Sequence, residues 1–416
     1  MPDAPADAPT VGPTLSEFQE ARERVSAVIH QTPMETSSYL GGVLGVPVFL
    51  KCENLQRTGS YKIRGAYNRI SRLTDEEKAR GVVAASAGNH AQGVAFAARE
   101  LGIKATIFMP LGVALPKLQA TKDYGADVVL RGHTVSEPLR AAAEFARTTG
   151  AVLIPPFDHA DVVAGQGTLG LEIFDQRPDV ETVVVPIGGG GLISGVASAL
   201  KQRAALEGRT VRVIGVQAAN AAPYPVSLAN GAPTEIAITP TIADGIAVAR
   251  PGDLNFEIVS RYVDEVITVT DDDTAQALLV LLERAKLVVE PAGAVGVAAI
   301  LSGKVAATGT TVVILSGGNI DPLMMERVIS HGLAASERYL KLRIPLPDRP
   351  GQLARTAAIV AEANANVVEV LHTRHGSGLQ ISQVELELHI ETRGPEHAED
   401  VLARLRDEGF EPRIDF

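Results

Sequence analysis

The chain has 416 residues, of which 46% are hydrophobic and 21% charged, so it can bury one large core and has material for two or three. A formal net charge of −11 argues against a phosphate-tracking nucleic-acid surface, which needs clustered Lys and Arg. The single cysteine, Cys52, excludes an internal disulfide framework or a cysteine-rich metal site and points to a reducing, cytoplasmic setting. Residues 1–14 are expected to be a flexible tail, rich in Pro, Ala and Asp, without the basic start and apolar stretch of a secretion signal. The longest apolar or small run, Pro291 to Leu301, falls short of the roughly 20 residues that span a bilayer, so no membrane role is expected.

From about residue 45 to 320, short β-branched runs alternate with Ala-rich amphipathic stretches, the mark of βαβ units around parallel sheet. The runs Val82 to Ala85, Ala105 to Met109, Val183 to Ile187 and Val312 to Leu315 are continuously apolar, as strands covered on both faces must be. The third passes into Gly188-Gly189-Gly190-Gly191, and Leu192 to Lys201 then reads as a helix whose N-terminal amides face that turn, an anion site in outline. After His331 the texture changes. Ser336 to Leu346 alternates apolar and polar residues and meets the turn Pro347-Asp348-Arg349-Pro350-Gly351. Leu353, Ala357, Val360 and Ala361 suggest a helix face; Val367 to His372 a strand; His375 to Gly378 a turn; and Val384, Leu386, Leu388 and Ile390 one face of another strand. A second helix carries Ala398, Val401, Leu402 and Leu405, and Phe410, Ile414 and Phe416 suggest a last strand, giving a ferredoxin-like βαββαβ order.

Within Leu50-Lys51-Cys52-Glu53-Asn54-Leu55-Gln56-Arg57-Thr58-Gly59-Ser60-Tyr61-Lys62-Ile63-Arg64-Gly65-Ala66, Lys62 follows a Gly-Ser turn and precedes helix-like sequence. A loop lysine alone is an ordinary surface charge. The string as a whole, however, resembles the cofactor-lysine segment of the threonine dehydratase group of fold-type II pyridoxal-phosphate enzymes. That resemblance implies that Lys62 holds pyridoxal 5'-phosphate, a role suited to a desolvated amine that forms an imine and later carries a proton. It covers about residues 15–335 and implies a catalytic domain of two α/β subdomains, tryptophan synthase β-like.

Ser86-Ala87-Gly88-Asn89-His90 follows a strand and opens a helix, an arrangement that can cap a helix or capture a carboxylate. It resembles the family's substrate loop, which implies Ser86, Asn89 and His90 around the substrate carboxylate and the Asn89 amide on the cofactor's phenolic oxygen. Ala87 leaves no hydroxyl where serine-racemising relatives carry one, which favours elimination. The tetraglycine comes near a dinucleotide loop through Gly189, Gly191 and Ser194, but it lies mid-chain and ends in Ser. By resemblance Gly188, Gly189, Gly190, Gly191 and Leu192 enclose the cofactor phosphate. Ser316-Gly317-Gly318-Asn319 likewise resembles the segment whose serine faces the pyridine nitrogen. Thr241 to Val248, Val289 to Ala294 and Thr32-Pro33 also agree with the family. Gly245 is expected at the cofactor's edge, and Glu290 is a further candidate for positioning active-site groups or binding a cation. Gln217 stands where some relatives hold a divalent cation with a carboxylate, so no metal is expected.

The tail resembles an ACT domain, which implies amino-acid effector binding at Asp348, Pro350 and Gly351, with isoleucine or valine as the effector. Pairing alone is the other use of such a module. The implied whole is a threonine and serine dehydratase yielding 2-oxobutanoate or pyruvate and ammonia, for isoleucine formation or threonine breakdown, with residues 15–335 catalytic and 336–416 regulatory. A homo-oligomer, dimer or tetramer, is the family expectation. Serine racemisation or β-replacement on the same fold is the nearest rival, and a non-catalytic amino-acid sensor a more distant one.

Overall fold

The computed structural model describes residues 11–134, 136–374 and 382–415. It divides into two compact units, one running through Asp321 and the other beginning at Pro322. The turn expected at His375 to Gly378, Phe416 and the first ten residues of the tail lie outside the described residues.

In the first unit, β1 (Met34–Thr36) and β2 (Val48–Lys51) are followed by β3 (Val82–Ala85), β4 (Ala105–Met109), β5 (Asp127–Leu130) and β6 (Val152–Leu153). The last four form a separate parallel sheet, ordered β5-β4-β3-β6. The chain then returns with β7 (Thr182–Pro186), β8 (Arg212–Ala218), β9 (Glu265–Val269) and β10 (Thr311–Ile314). These join the first two strands in a sheet ordered β1-β2-β10-β7-β8-β9, parallel except for β1. Two subdomains result, each with its own core. Val183, Val185, Val213, Val312 and Ile314 fill one; Val82, Ala84, Val94, Ile107 and Met109 fill the other.

The helix Lys62–Ser71 packs between helices Asn89–Glu100 and Ala160–Gln176. Beneath it lies a buried ion network. Arg64 reaches Glu53 through Nε and Nη2, both at 2.8 Å, and Glu172 at 2.7 Å, while Lys51 lies 2.7 Å from Glu172. Thr32 closes the set, donating its hydroxyl to Glu53 at 2.6 Å and its N–H to Glu172 at 3.0 Å. Burial would raise the Glu53 carboxyl, but the Arg64 charge and hydrogen bonds hold it below its ordinary value.

In the second unit, helix Pro322–Ala335 precedes β11 (Tyr339–Pro347), β12 (Asn366–Thr373), β13 (Gln383–Glu391) and β14 (Arg413–Ile414), an antiparallel sheet ordered β12-β13-β11-β14. Helices Gln352–Glu362 and Pro395–Asp407 complete the βαββαβ order. Leu340, Leu342, Leu386, Leu388, Val401 and Leu405 are buried in its core. The first of these helices turns differently from the sequence expectation: Thr356, Ile359 and Val360 are buried, whereas Leu353 is 40% exposed and Ala361 is exposed. Both patterns recur at helical spacing, and Ala and Thr carry too little hydropathy to separate them. No helix among the described residues is long and apolar enough to cross a membrane.

Candidate active site

Lys62 opens its helix, and its Nζ donates to the Pro156 carbonyl oxygen at 2.9 Å. Burial lowers this amine to about 8, with Glu290 opposing the shift. The next residue, Phe157, presses on the glycine loop so closely that a Cβ on Gly189 would overlap its ring and one on Gly191 its Cβ and main chain. Phe157 drew no notice in the sequence because no spacing marks it, yet it links the lysine's acceptor to the loop. Gly190, at φ +106°, leads into helix Gly191–Ala205, and a side chain there would strike the Tyr224 hydroxyl. The first amides of that helix have no partner within it. Beside them Asn255 is fully buried, with neither polar side-chain atom partnered.

Asn89 begins helix Asn89–Glu100, and its Nδ2 donates to Glu290 Oε1 at 2.6 Å. Glu290 accepts this bond from the position before helix Pro291–Leu301, and its own N–H donates to the Gly317 carbonyl at 3.0 Å. A Cβ on Gly317 would run into the Glu290 carboxylate, and one on Gly245 would stand 3.7 Å from it. Burial, aided by the charge of Asp244, raises the Glu290 carboxyl to about 7. Ser316 is buried, and its carbonyl oxygen accepts from the Tyr61 N–H at 3.1 Å, next to Lys62. Ser86 accepts the Gly88 N–H on its hydroxyl at 3.2 Å. The His90 ring turns the other way. Its Nε2 lies 2.9 Å from the Ile154 carbonyl oxygen, so that nitrogen carries the proton, and burial lowers the ring to about 3. What His90 leaves at the loop is its main-chain amide.

The sequence reading thus named residues that the fold gathers at one place: Lys62, Asn89, Glu290, Gly245 and Ser316 border one another, and the glycine loop joins them through Pro156–Phe157 and through Gly188, packed on Ile246. Gln217 is spent internally, donating to Ile187 O at 3.4 Å and accepting the Tyr224 N–H at 3.0 Å. Among the described residues no group of three or more His, Cys, Asp or Glu is placed to hold a metal. In the tail, Asp348, Pro350 and Gly351 lie exposed between β11 and helix Gln352–Glu362, with Gly351 at φ +90° and Asp348 Oδ2 3.5 Å from Arg374 Nε.

Comparison with known proteins identifies the family. Residues 25–317 match the family model described as pyridoxal-phosphate dependent enzyme, and residues 342–410 match the ACT domain. An L-threonine ammonia-lyase from Thermotoga maritima is 48% identical over 402 residues, 96% of this chain and 99% of the relative. Among solved structures, a threonine deaminase isoform from Solanum lycopersicum aligns at TM-score 0.71 and 36% identity, covering 77% of this chain and 95% of that one. Maize serine racemase aligns at TM-score 0.71 and 36% identity, covering 78% and 98%. The chain belongs to the pyridoxal-phosphate dependent enzymes and carries an ACT domain at its C-terminal end.

Proposed function

We propose that this chain is an L-threonine ammonia-lyase, active also on L-serine, with residues 15–335 serving catalysis and 336–416 regulation. The observation that carries the reading is the meeting of the Lys62 amine, the Asn89 amide and the glycine loop in a chain whose relative, similar from end to end, bears that activity. The donor set suits the cofactor. Unpartnered buried polar atoms of Thr58, Ser60 and Asn255 border the same region, as expected where an oxygen-rich ligand belongs. When bound, pyridoxal phosphate supplies an aldehyde carbon for the substrate nitrogen and a conjugated ring that takes up the Cα electron pair.

The residues divide the remaining work. Amides of Gly188, Gly189, Gly190, Gly191 and Leu192 hold the phosphate at a helix N-terminus. Asn89 would donate to the phenolic oxygen, and Ser316 would donate to the ring nitrogen without fixing a charge on it. Gly245 brings main chain to the cofactor's edge, near Glu290. Ser86 and the main-chain amides of Asn89 and His90 bind the substrate carboxylate, and Lys62 Nζ removes the Cα proton, which its depressed pKa suits. Loss of water across Cα–Cβ, then hydrolysis of the C–N bond, gives 2-oxobutanoate and ammonia from threonine, or pyruvate from serine. Ala87 offers no proton on the opposite face, which supports elimination over racemisation. Asp348, Pro350 and Gly351 bind the effector, isoleucine or valine, and the enzyme works as a cytoplasmic dimer or tetramer.

The test is product analysis with L-threonine and L-serine. Keto acid and ammonia in equal amounts, with little D-serine, support the proposal. A dominant D-serine product, or β-replacement by an added thiol, would instead assign one of the rival chemistries.

A further inference from the structure

Asn319 closes the Ser316-Gly317-Gly318 turn. Its Nδ2 lies 2.8 Å from the Thr58 carbonyl oxygen, 2.8 Å from Asn89 Oδ1 and 3.3 Å from Gln92 Oε1. The Thr58 contact fixes the sense of this amide, because a main-chain carbonyl only accepts. On its far side, Asn89 meets Glu290, its Nδ2 donating at 2.6 Å. Both ends of the Asn89 amide are thereby assigned. Its oxygen accepts from Asn319, one of its two N–H groups goes to Glu290, and one N–H is left. The seat of Asn319 is tight: Gly59, at φ +70°, leaves no room for a Cβ beside the Asn319 amide, and Gly318 N–H donates to the Gly59 carbonyl at 2.8 Å. One side chain therefore ties together the loop before Lys62, the turn that carries Ser316 and the helix that begins at Asn89.

We propose that Asn319 is a positioning residue that sets the sense of the Asn89 amide, so that Asn89 presents a single N–H donor to the anionic oxygen of the bound cofactor. This rests on the reading that Asn89 faces the cofactor. With the amide reversed, its carbonyl would meet that oxygen and repel it, and two further hydrogen bonds would be lost.

The test uses the full-length enzyme and reads two quantities, the cofactor dissociation constant and the apparent pKa of the bound cofactor's visible band. Asn319→Asp sets a carboxylate oxygen against three acceptors; it should weaken cofactor binding on the order of tenfold. It should also raise the apparent pKa of the band, because the anionic oxygen loses its donor. Asn319→Ala should move both readouts the same way by less, and it carries the test if the Asp variant fails to fold. Asn89→Ala should give the full shift, and the double variant Asn89→Ala with Asn319→Ala should shift no further, since one residue acts through the other. Additive shifts, or wild-type affinity and band in both Asn319 variants while Asn89→Ala shifts, overturn the proposal alone. An Asn89→Ala enzyme with unchanged affinity and band overturns the reading of Asn89, and this proposal with it.

Discussion

Two buried polar clusters grow from the same stretch of chain, residues 50–66, and they differ in how far their bonds are closed. In one, Lys51 and Arg64 balance Glu53 and Glu172, and Arg64 spans both carboxylates. In the other, Lys62 has a carbonyl oxygen for a partner, and Glu290 shares Asn89 with Asn319. In the first cluster Arg64 keeps Glu53 ionised, while burial lowers the Lys51 amine against the pull of Glu172 and Glu53. The second keeps an amine near 8 and a carboxyl near 7, groups whose charge is undecided at neutral pH. Closed charge pairs make a scaffold, while unsettled protonation is what acid–base chemistry requires.

Substitutions can separate the two. Lys62→Ala should lower turnover by about four orders of magnitude or more, since the amine proposed to carry the Cα proton is lost, and leave thermal unfolding close to wild type. Arg64→Met should do the opposite, costing about 3–5 kcal/mol in urea unfolding because the buried Glu53 loses its salt-bridge partner and Glu172 keeps only Lys51, with activity per folded molecule largely kept. A stable but inactive Arg64 variant would erase the distinction between the clusters. A smaller effect is expected in the tail: Gly351→Leu, filling the turn between β11 and its helix, should raise the isoleucine concentration for half-inhibition by about tenfold, the equivalent of one modest contact. Its basal activity should be spared. Smallest is the pH effect on cofactor capture by the apoenzyme. Only the neutral Lys62 amine attacks, so the capture rate should rise about fivefold from pH 7 to pH 8 and less than twofold from there to pH 9. A flat profile would place the Lys62 amine well below 8.

Much of this fold was legible in the sequence where burial writes a simple pattern. The strands β3 and β4 coincide with the runs Val82 to Ala85 and Ala105 to Met109, because a strand covered on both faces must be apolar throughout. The alternation from Val384 to Ile390 marks β13 for the converse reason, one face wet. The motifs carried the candidate site. What they could not carry was pairing at a distance: nothing local to Arg64 reveals Glu172, 108 residues on, and Thr32 gave only a family match until the network explained it. Phe157 and Asn319 act through neighbours on other elements, and hydropathy has no means of registering that. Leu353 shows the limit of periodicity itself, since two helix faces rich in Ala and Thr fit the same spacing.

The distinction between the clusters is tested most directly by reducing the cofactor-loaded enzyme with borohydride and mapping the labelled lysine by peptide mass. The expected result is one cofactor adduct, on Lys62, with Lys51 unmodified in the same digest although it lies eleven positions earlier in the chain. An adduct on Lys51, or none on Lys62, would contradict the assignment of chemistry to the open cluster and of scaffold to the closed one.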